Sequence, residues 1–455
     1  MIFKLMSFQT GRGPAVRYWV GGFLLSVLLL SSLSGCKFWK AAPKPNFVVI
    51  LIDTLRPDFL EAYGYPEQTA PFIARLAETS AVFEQAYSTS SWTAPAVSSL
   101  FTSNYPHQHG VVQGFFAYKI RKQSIAEQAI TINRLPSDIT TLPEIFKQLS
   151  YTTFGVAANV NLGSEIGFKR GFDHYVHERR LPAKLFLEQV KKWQPELDQA
   201  NPFFLYLHFN DVHGPYKKRK AYFREPDDPK DYLRAKYISE IGYVDEYLGK
   251  IYELLKKKEN TIFVLVSDHG EEFFEHGQKG HGFKLYNELT HVLMIFHALN
   301  GRIKPQRIKV NTSLVDVLPT LIDLAGEKSR PKMKGLSLKP ILENNDQAPM
   351  LLQTLRERVL FAHRYMSINQ RHVWAAFDRN YYLIERSKHE DELYDVNKDK
   401  KQRDNIYSKN QKQATDLHLE LQRFKAQDHR EKTEEIEIAV DDKLNKHLQS
   451  LGYVQ

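Results

Sequence analysis

Five stretches of the chain are apolar almost throughout: NFVVILID from Asn46, TTFGVAA from Thr152, FFLYLHF from Phe203, TIFVLVSD from Thr261 and HVLMIFH from His291. A strand with one wet face alternates. A run that is apolar at nearly every position predicts a strand buried on both faces, as in a parallel sheet covered by helices. Between these runs the period changes. From Tyr232 to Lys258, the residues Leu233, Tyr237, Ile241, Val244, Leu248, Ile251 and Leu255 fall on one helical stripe. Strands alternating with helices predict an α/β sandwich with a mostly parallel central sheet. Such sheets bind ligands beyond the carboxyl ends of their strands. Asp53 and Asp268 each close one of the apolar runs, so two carboxylates are expected at one edge.

From about Met350 the texture changes to shorter alternating runs, followed by a charged helical stretch to Phe424. This predicts a small antiparallel sheet plus one helix. The expected organisation is a catalytic domain over 46–349, a small C-terminal subdomain over 350–425 and a charged, loosely held tail over 426–455.

The first residues read differently. Arg12 and Arg17 precede the apolar run VGGFLLSVLLLSSLSGC, too short for a comfortable membrane span and rich in small residues at its end. Residues 1–35 are expected to be a signal peptide. Leu33-Ser34-Gly35-Cys36 resembles a bacterial lipobox, which makes Cys36 the expected lipidation site and 36–45 a tether. By the sorting rule of such lipoproteins, Lys37 in place of an Asp implies the outer membrane, facing the periplasm. Cys36 is the one cysteine, so disulfides and thiolate metal sites are excluded. The formal charge of +9 includes Lys4, Arg12 and Arg17 of the leader. The remainder suits an anionic substrate or surface. No stripe of basic and aromatic residues points to nucleic acid, and the run KKRK at Lys217–Lys220 reads as a solvated loop.

The candidate chemistry lies at the ends of the apolar runs. SDHG, at Ser267–Gly270, sets Asp268 beside His269. With Asp53 these supply oxygen and nitrogen donors for a divalent cation. In SWTAPAVSSLFTS, from Ser91, Thr93 precedes a proline and a short amphipathic helical pattern. There it is either an N-cap or a hydroxyl at a helix N-terminus, where anions bind. His208 and His213 frame HFNDVHGP; His276 and His281 follow SDHG; Arg56 lies in DTLR. Arg56 reads either as a contact for an anionic group or as a cap of the next helix.

Seven segments in order resemble the sulfatase branch of the alkaline phosphatase superfamily: NFVVILIDTLRPDFLEAYGY, SWTAPAVSSLFTSNYPHQHGV, PFFLYLHFNDVHGPY, SDHGEEFFEHGQKGHGFKLYNE, SLVDVLPTLIDLAG, MKGLSLKPIL and ELYDVNKDKKQRDNI. The resemblance implies an alkaline-phosphatase-like sandwich and a metal site of Asp53, Thr93, Asp268 and His269. It also implies Thr93 as nucleophile; among the histidines, His213 and His281 are the catalytic candidates and His208 a substrate contact, unless one or two of them complete a second metal position.

Two departures from the family pattern carry information. Sulfatases start from a cysteine or serine that is oxidised to formylglycine, with an arginine four residues on. Here those positions are Thr93 and Val97, and oxidised threonine would be a ketone, so no formylglycine is expected. Sulfatases also carry adjacent Asp residues on the first strand and hold calcium. Here Thr54 replaces the second Asp and His269 supplies an imidazole, a set that favours zinc or manganese. The Lys-x-His-Leu-Gly element of sulfatases is matched by Asn159-Val160-Asn161-Leu162-Gly163, with amides for cations. Threonine-type relatives, such as phosphoethanolamine transferases, form a phospho-threonine intermediate. The expectation is therefore a metal-dependent hydrolase or transferase of phospho- or sulfo-esters. A catalytically silent binder of an anionic glycan or lipid head group, and a true sulfuric ester hydrolase, are the alternatives.

Overall fold

The computed structural model describes residues 43–115, 129–329, 331–366, 370–387, 389–427, 430, 433–440, 444–445 and 448. The signal peptide, Cys36 and the tether up to residue 42 lie outside the described residues. Eight strands form the main sheet: β1 Asn46–Ile52, β2 Ala81–Phe83, β3 Thr152–Ala157, β4 His174–His177, β5 Phe203–Phe209, β6 Thr261–Val266, β7 Met294–Ala298 and β8 Gln306–Ile308. Their order is β8-β2-β7-β6-β1-β5-β3-β4. The five strands from β6 to β4 are parallel, and β7 runs antiparallel to both its neighbours.

The doubly apolar runs are explained by packing on both faces. Phe47, Val49 and Leu51 of β1 enter one core cluster, and Val48, Ile50 and Ile52 enter the other. On the second face lie the helices Ala183–Gln199 and Tyr232–Leu255; Tyr237, Ile241, Val244, Leu248, Ile251 and Leu255 are buried there. Register aligns the carboxyl ends. Leu51, His208 and Ala157 lie side by side across β1, β5 and β3, and the Asp53 amide donates to the Phe209 carbonyl at 2.9 Å.

The C-terminal sheet has strands β9 Leu360–Met366, β10 Arg371–Phe377, β11 Tyr381–Arg386 and β12 Glu392–Asp395, antiparallel throughout. One face packs on the helix Gln411–Lys425 through Trp374, Leu383, Leu417 and Phe424. The other packs on Leu285 and Tyr286, in the loop that follows His281. The sheet is thus no separate body: Lys44–Gln455 form one unit.

The tail differs from expectation. Glu435–Ala439 is a strand paired antiparallel with Ala129–Asn133, and Leu444 and Leu448 are buried in the main core. Its alternating charged residues face solvent while the aliphatic ones between them pack inward, so high charge did not mean loose attachment. Arg430 anchors the entry to this strand on both Asp138 oxygens, at 3.0 and 2.9 Å. Leu448→Ala should therefore lower unfolding stability by about 2–5 kcal/mol. Chemical denaturation measures this, and a loosely held tail would give no change.

Candidate active site

Thr93 opens the helix Thr93–Thr102. Trp92, extended at φ −161° and ψ 160°, is the residue before it and makes no side-chain cap. Thr93 is thus the first helical residue rather than the cap, and its hydroxyl is not committed to capping. The expected amphipathic pattern is corrected: all ten residues of this helix are buried. Its hydroxyls are satisfied internally, Ser98 and Thr102 donating at 2.7 Å to the carbonyls of Ala94 and Ser98. Val97, at the position of the sulfatase arginine, is fully buried in the core.

Around Thr93 Oγ1 lie Asp53 Oδ2 at 3.4 Å, His269 Nε2 at 3.4 Å and the Asn159 amide at 3.3 Å. Asp53, Asp268, His269 and His208 are all completely buried. The carboxylates share one arrangement. Asp53 Oδ2 accepts from Asn159 at 2.6 Å and Asn210 at 2.9 Å; Asp268 Oδ1 accepts from the amides of Thr54 at 3.1 Å and His269 at 2.9 Å. Each therefore has one oxygen held and one, Asp53 Oδ1 or Asp268 Oδ2, without a hydrogen-bond partner. His269 Nδ1 lies 2.9 Å from the Gly270 carbonyl, so Nδ1 carries the proton and Nε2 offers a lone pair. His269 Nε2 is 3.6 Å from Asp53 Oδ1 and 3.4 Å from Asp268 Oδ2.

These groups fit a cation. Burial pushes the His269 ring down to about 3 and the His208 ring down to about 4, so both are neutral imidazoles at pH 7. Burial and the Asp53 charge push Asp268 well up, while for Asp53 burial is outweighed by the surrounding histidines, which bring it down to about 2. His208, expected either at the substrate or at a further metal position, sits within β5, where one of its nitrogens lies with oxygens of Asp53 and Asp268 in a group spanning 4.8 Å. Neither of its nitrogens has a hydrogen-bond partner. That makes it a candidate metal ligand. Thr54 is not one: its hydroxyl donates to the Val212 carbonyl at 3.0 Å.

His213 and His281 complete a row of imidazoles. Their ring centroids are 4.9 Å apart, and His281 is 4.5 Å from His269. His213 Nδ1 donates to the Gly214 carbonyl at 2.7 Å, and its buried Nε2 has no partner. His281 Nδ1 is held at 2.9 Å by Glu271, whose other oxygen accepts from Tyr216 at 2.5 Å. Burial alone would raise Glu271, but His281, His213 and Tyr216 keep it lowered and ionised.

Arg56 stands at the cap position of the short helix Pro57–Phe59 without a side-chain cap bond. Its guanidinium bonds Asp58 at 3.0 and 2.7 Å, Glu275 at 2.8 Å and the Glu271 carbonyl at 2.8 Å. It braces the loops beneath the site. In the KKRK run, Arg219 is no solvated residue: it pairs with Asp211 at 2.6 Å and Glu240 at 2.5 Å.

Three residues were missed as site members. In the sequence Asn159 reads only as an amide in place of a cation, and Asn210 carries no signal of its own between His208 and His213. Arg364 had no sequence signal. It is a buried guanidinium from β9, 2.5 Å from the Gly282 carbonyl and 5.0 Å from the Trp92 ring, so it links the flanks of His281 and Thr93.

His276, a looser candidate, is structural. Its nitrogens contact Glu288 at 2.6 Å and the Gln402 carbonyl at 2.9 Å, and it stacks on Tyr286 at 3.6 Å. Burial opposes its charge, but these two acceptors outweigh it and raise its pKa above 6.5. Its charged-state stabilisation is full below about pH 6.5 and lost as pH rises through the raised value. His276→Phe should destabilise by about 2 kcal/mol near pH 6, and by less at pH 9. Thermal or urea unfolding at the two pH values checks this; equal losses would contradict the charged bridge.

Comparisons with known proteins identify the family and the fold. A family model described as Sulfatase matches residues 45–327, and one described as N-sulphoglucosamine sulphohydrolase, C-terminal, matches residues 275–429. The chain is similar to a Delta 4,5-hexuronate-2-O-sulfatase of Bacteroides thetaiotaomicron, 24% identical over 68% of this chain and 74% of that one. Two solved structures share the fold. One is a protein in complex with its substrate D-glucosamine-2-N,6-O-disulfate, with TM-score 0.68, 19% identity and coverage of 86% of this chain and 100% of that one. The other is the phosphonate monoester hydrolase of Agrobacterium radiobacter, with TM-score 0.69, 16% identity and coverage of 85% and 96%.

Proposed function

The chain belongs to the sulfatase family and is an ester hydrolase of the alkaline phosphatase superfamily; from this premise we propose that Thr93 is its nucleophile, acting on a phospho- or sulfo-ester. The observation that carries the reading is the buried convergence of Thr93 Oγ1 with Asp53, Asp268 and His269 at the start of a helix. Asp53, Asp268 and His269 would hold a divalent cation, with His208 alongside. A bound cation favours the threonine alkoxide and offsets charge on the ester oxygens. The mixed carboxylate and imidazole set favours zinc or manganese over calcium.

The remaining work falls to this chain's own groups. The first-turn amides of the Thr93 helix bind the anionic ester, while the Asn159 amide holds Asp53 Oδ2 and Thr93 Oγ1 in place. Thr93 Oγ, its proton passing to Asp53 Oδ2 at 3.4 Å, attacks sulfur or phosphorus as the bond to the leaving oxygen breaks. That oxygen takes a proton from His281, kept in place by Glu271. Water, or an acceptor alcohol in the transferase variant of the reading, then displaces Thr93 and restores its hydroxyl. The sulfatase relatives favour a sulfate ester, the phosphonate monoester hydrolase a phosphorus ester. The threonine, which closes the formylglycine route, weights the balance toward phosphorus.

Thr93→Ala should cut turnover of nitrophenyl sulfate, phosphate or phosphodiester by at least about 1,000-fold, as loss of a nucleophile does, while the metal found by elemental analysis is retained or reduced. Wild-type turnover by the variant would overturn the nucleophile. Metal-free, inactive wild-type protein would favour a silent binder. We also read the chain as an exported lipoprotein held at the outer membrane through Cys36. Labelled palmitate should enter the wild type and not Cys36→Ala; equal labelling would refute this.

A further inference from the structure

A cavity of about 230 Å³ lies between the loop after His281 and the edge of the C-terminal sheet. Its lining includes Lys284, Arg371, His372, Arg386 and His389, with no Asp or Glu. Two of these charges are balanced from behind: Lys284 by Glu272 at 3.1 Å and Arg386 by Glu392 at 2.5 Å. Arg371 differs. Among the described residues it makes no ion pair, and its Nε is shielded from solvent without a hydrogen-bond partner. A buried guanidinium N–H left so costs on the order of 1–3 kcal/mol, and such exceptions call for a ligand or a function.

The chemistry of that ligand follows from the lining. A cavity with cations and no acid attracts an anion. A guanidinium fork matches carboxylate, sulfate or phosphate oxygens in pairs, which an ammonium does not. Apolar walls from Phe283, Met366 and Val373 suit a ring carrying the charge rather than a bare ion. The volume is below the roughly 300–1,000 Å³ of drug-sized sites, which leaves room for one substituent and its ring.

The location ties this ligand to the reaction. Phe283 lines the cavity and follows His281 by two residues, so their Cα atoms are at most about 7 Å apart. Met366 lines it two residues beyond Arg364, whose guanidinium lies over Trp92, next to Thr93. We propose that Arg371 binds a second anionic substituent of the substrate, so that this enzyme acts on a sugar bearing a further sulfate, phosphate or carboxylate besides the ester cleaved. The proposal rests on the reading of the Thr93 site as an ester hydrolase.

Calorimetric binding tests it separately from turnover. Full-length Thr93→Ala protein, unable to consume its ligand, is titrated with D-glucosamine-6-O-sulfate, with D-glucosamine-2-N,6-O-disulfate and with inorganic sulfate. The same titrations follow with Arg371→Ala and Arg371→Gln added. The disulfate should bind at least about tenfold more tightly than the monosulfate, equivalent to about 1.4 kcal/mol. Either Arg371 variant should remove that preference and leave monosulfate binding intact, which also reports that the variants are folded. No preference, or one that survives both variants, overturns the proposal. So does inorganic sulfate binding with the same dependence on Arg371, since that describes a site for a free ion. Wild-type protein inactive on the nitrophenyl esters, yet with an Arg371-dependent preference, would instead remove the hydrolase reading and keep the subsite.

Discussion

Full burial of like-charged and lone-pair groups at one sheet edge is the constraint on which this structure depends. Asp53 and Asp268 are both inaccessible to solvent, and each presents one oxygen with no hydrogen-bond partner. A buried polar atom in that condition costs on the order of 1–3 kcal/mol, and a charged one more. The surrounding imidazoles are pushed toward neutrality by the same burial, so they cannot supply the missing positive charge at neutral pH. A divalent cation answers both deficits together. The rest of the site is arranged so that these atoms have few other options.

That arrangement is visible in the hydrogen bonds. Asn159 and Asn210 hold one side of Asp53, and the amides of Thr54 and His269 hold one side of Asp268. Thr54 adopts φ 59°, an unfavourable conformation for a β-branched residue. It aims its amide at Asp268 while its hydroxyl turns to Val212, and it is itself backed by Tyr237 on its carbonyl at 2.8 Å. Strain kept at such a position is consistent with a backbone donor fixed by its surroundings. Gly270 has a comparable role: a Cβ there would run into the Glu288 carbonyl, so the chain beyond His269 can pass only without a side chain.

Much of this was legible in the sequence because strand ends concentrate information. A run apolar at every position admits only a doubly covered strand, so the parallel core was readable, and a carboxylate closing such a run has to lie at the sheet edge. Asp53, Asp268 and His269 follow from that logic, and Thr93 from the helix start. What was not legible depends on distant partners. Arg56 looked available because nothing local showed that Asp58, Glu275 and Glu271 would surround it. Whether His208 meets a metal or the substrate is not readable locally, because its depth in β5 beside Asp53 is a matter of register between strands. Arg364 is separated by 82 residues from the carbonyl it contacts. The tail misled for another reason: alternation within a charged segment is weak, and only the exposed edge at Ala129–Asn133 reveals what it pairs with.

The C-terminal sheet bears on the proposal that Thr93 acts in place of the family's modified residue. One sheet face packs on Leu285 and Tyr286, just past His281, and β9 sends Arg364 to Gly282 and Trp92. The His281 loop and the start of the Thr93 helix are therefore held by one rigid element, although they lie far apart in sequence. A threonine alkoxide is a fixed, single-oxygen nucleophile. Unlike a hydrated aldehyde, it offers no second hydroxyl to release the product by elimination. On the proposed reading of Thr93 as nucleophile, turnover would come from the opposite direction, by an oxygen delivered along the line through Thr93 and protons exchanged with the His281 side. Such a path demands constant spacing between Thr93 and His281. A sheet braced against both, rather than a mobile loop, is the kind of support that demand calls for.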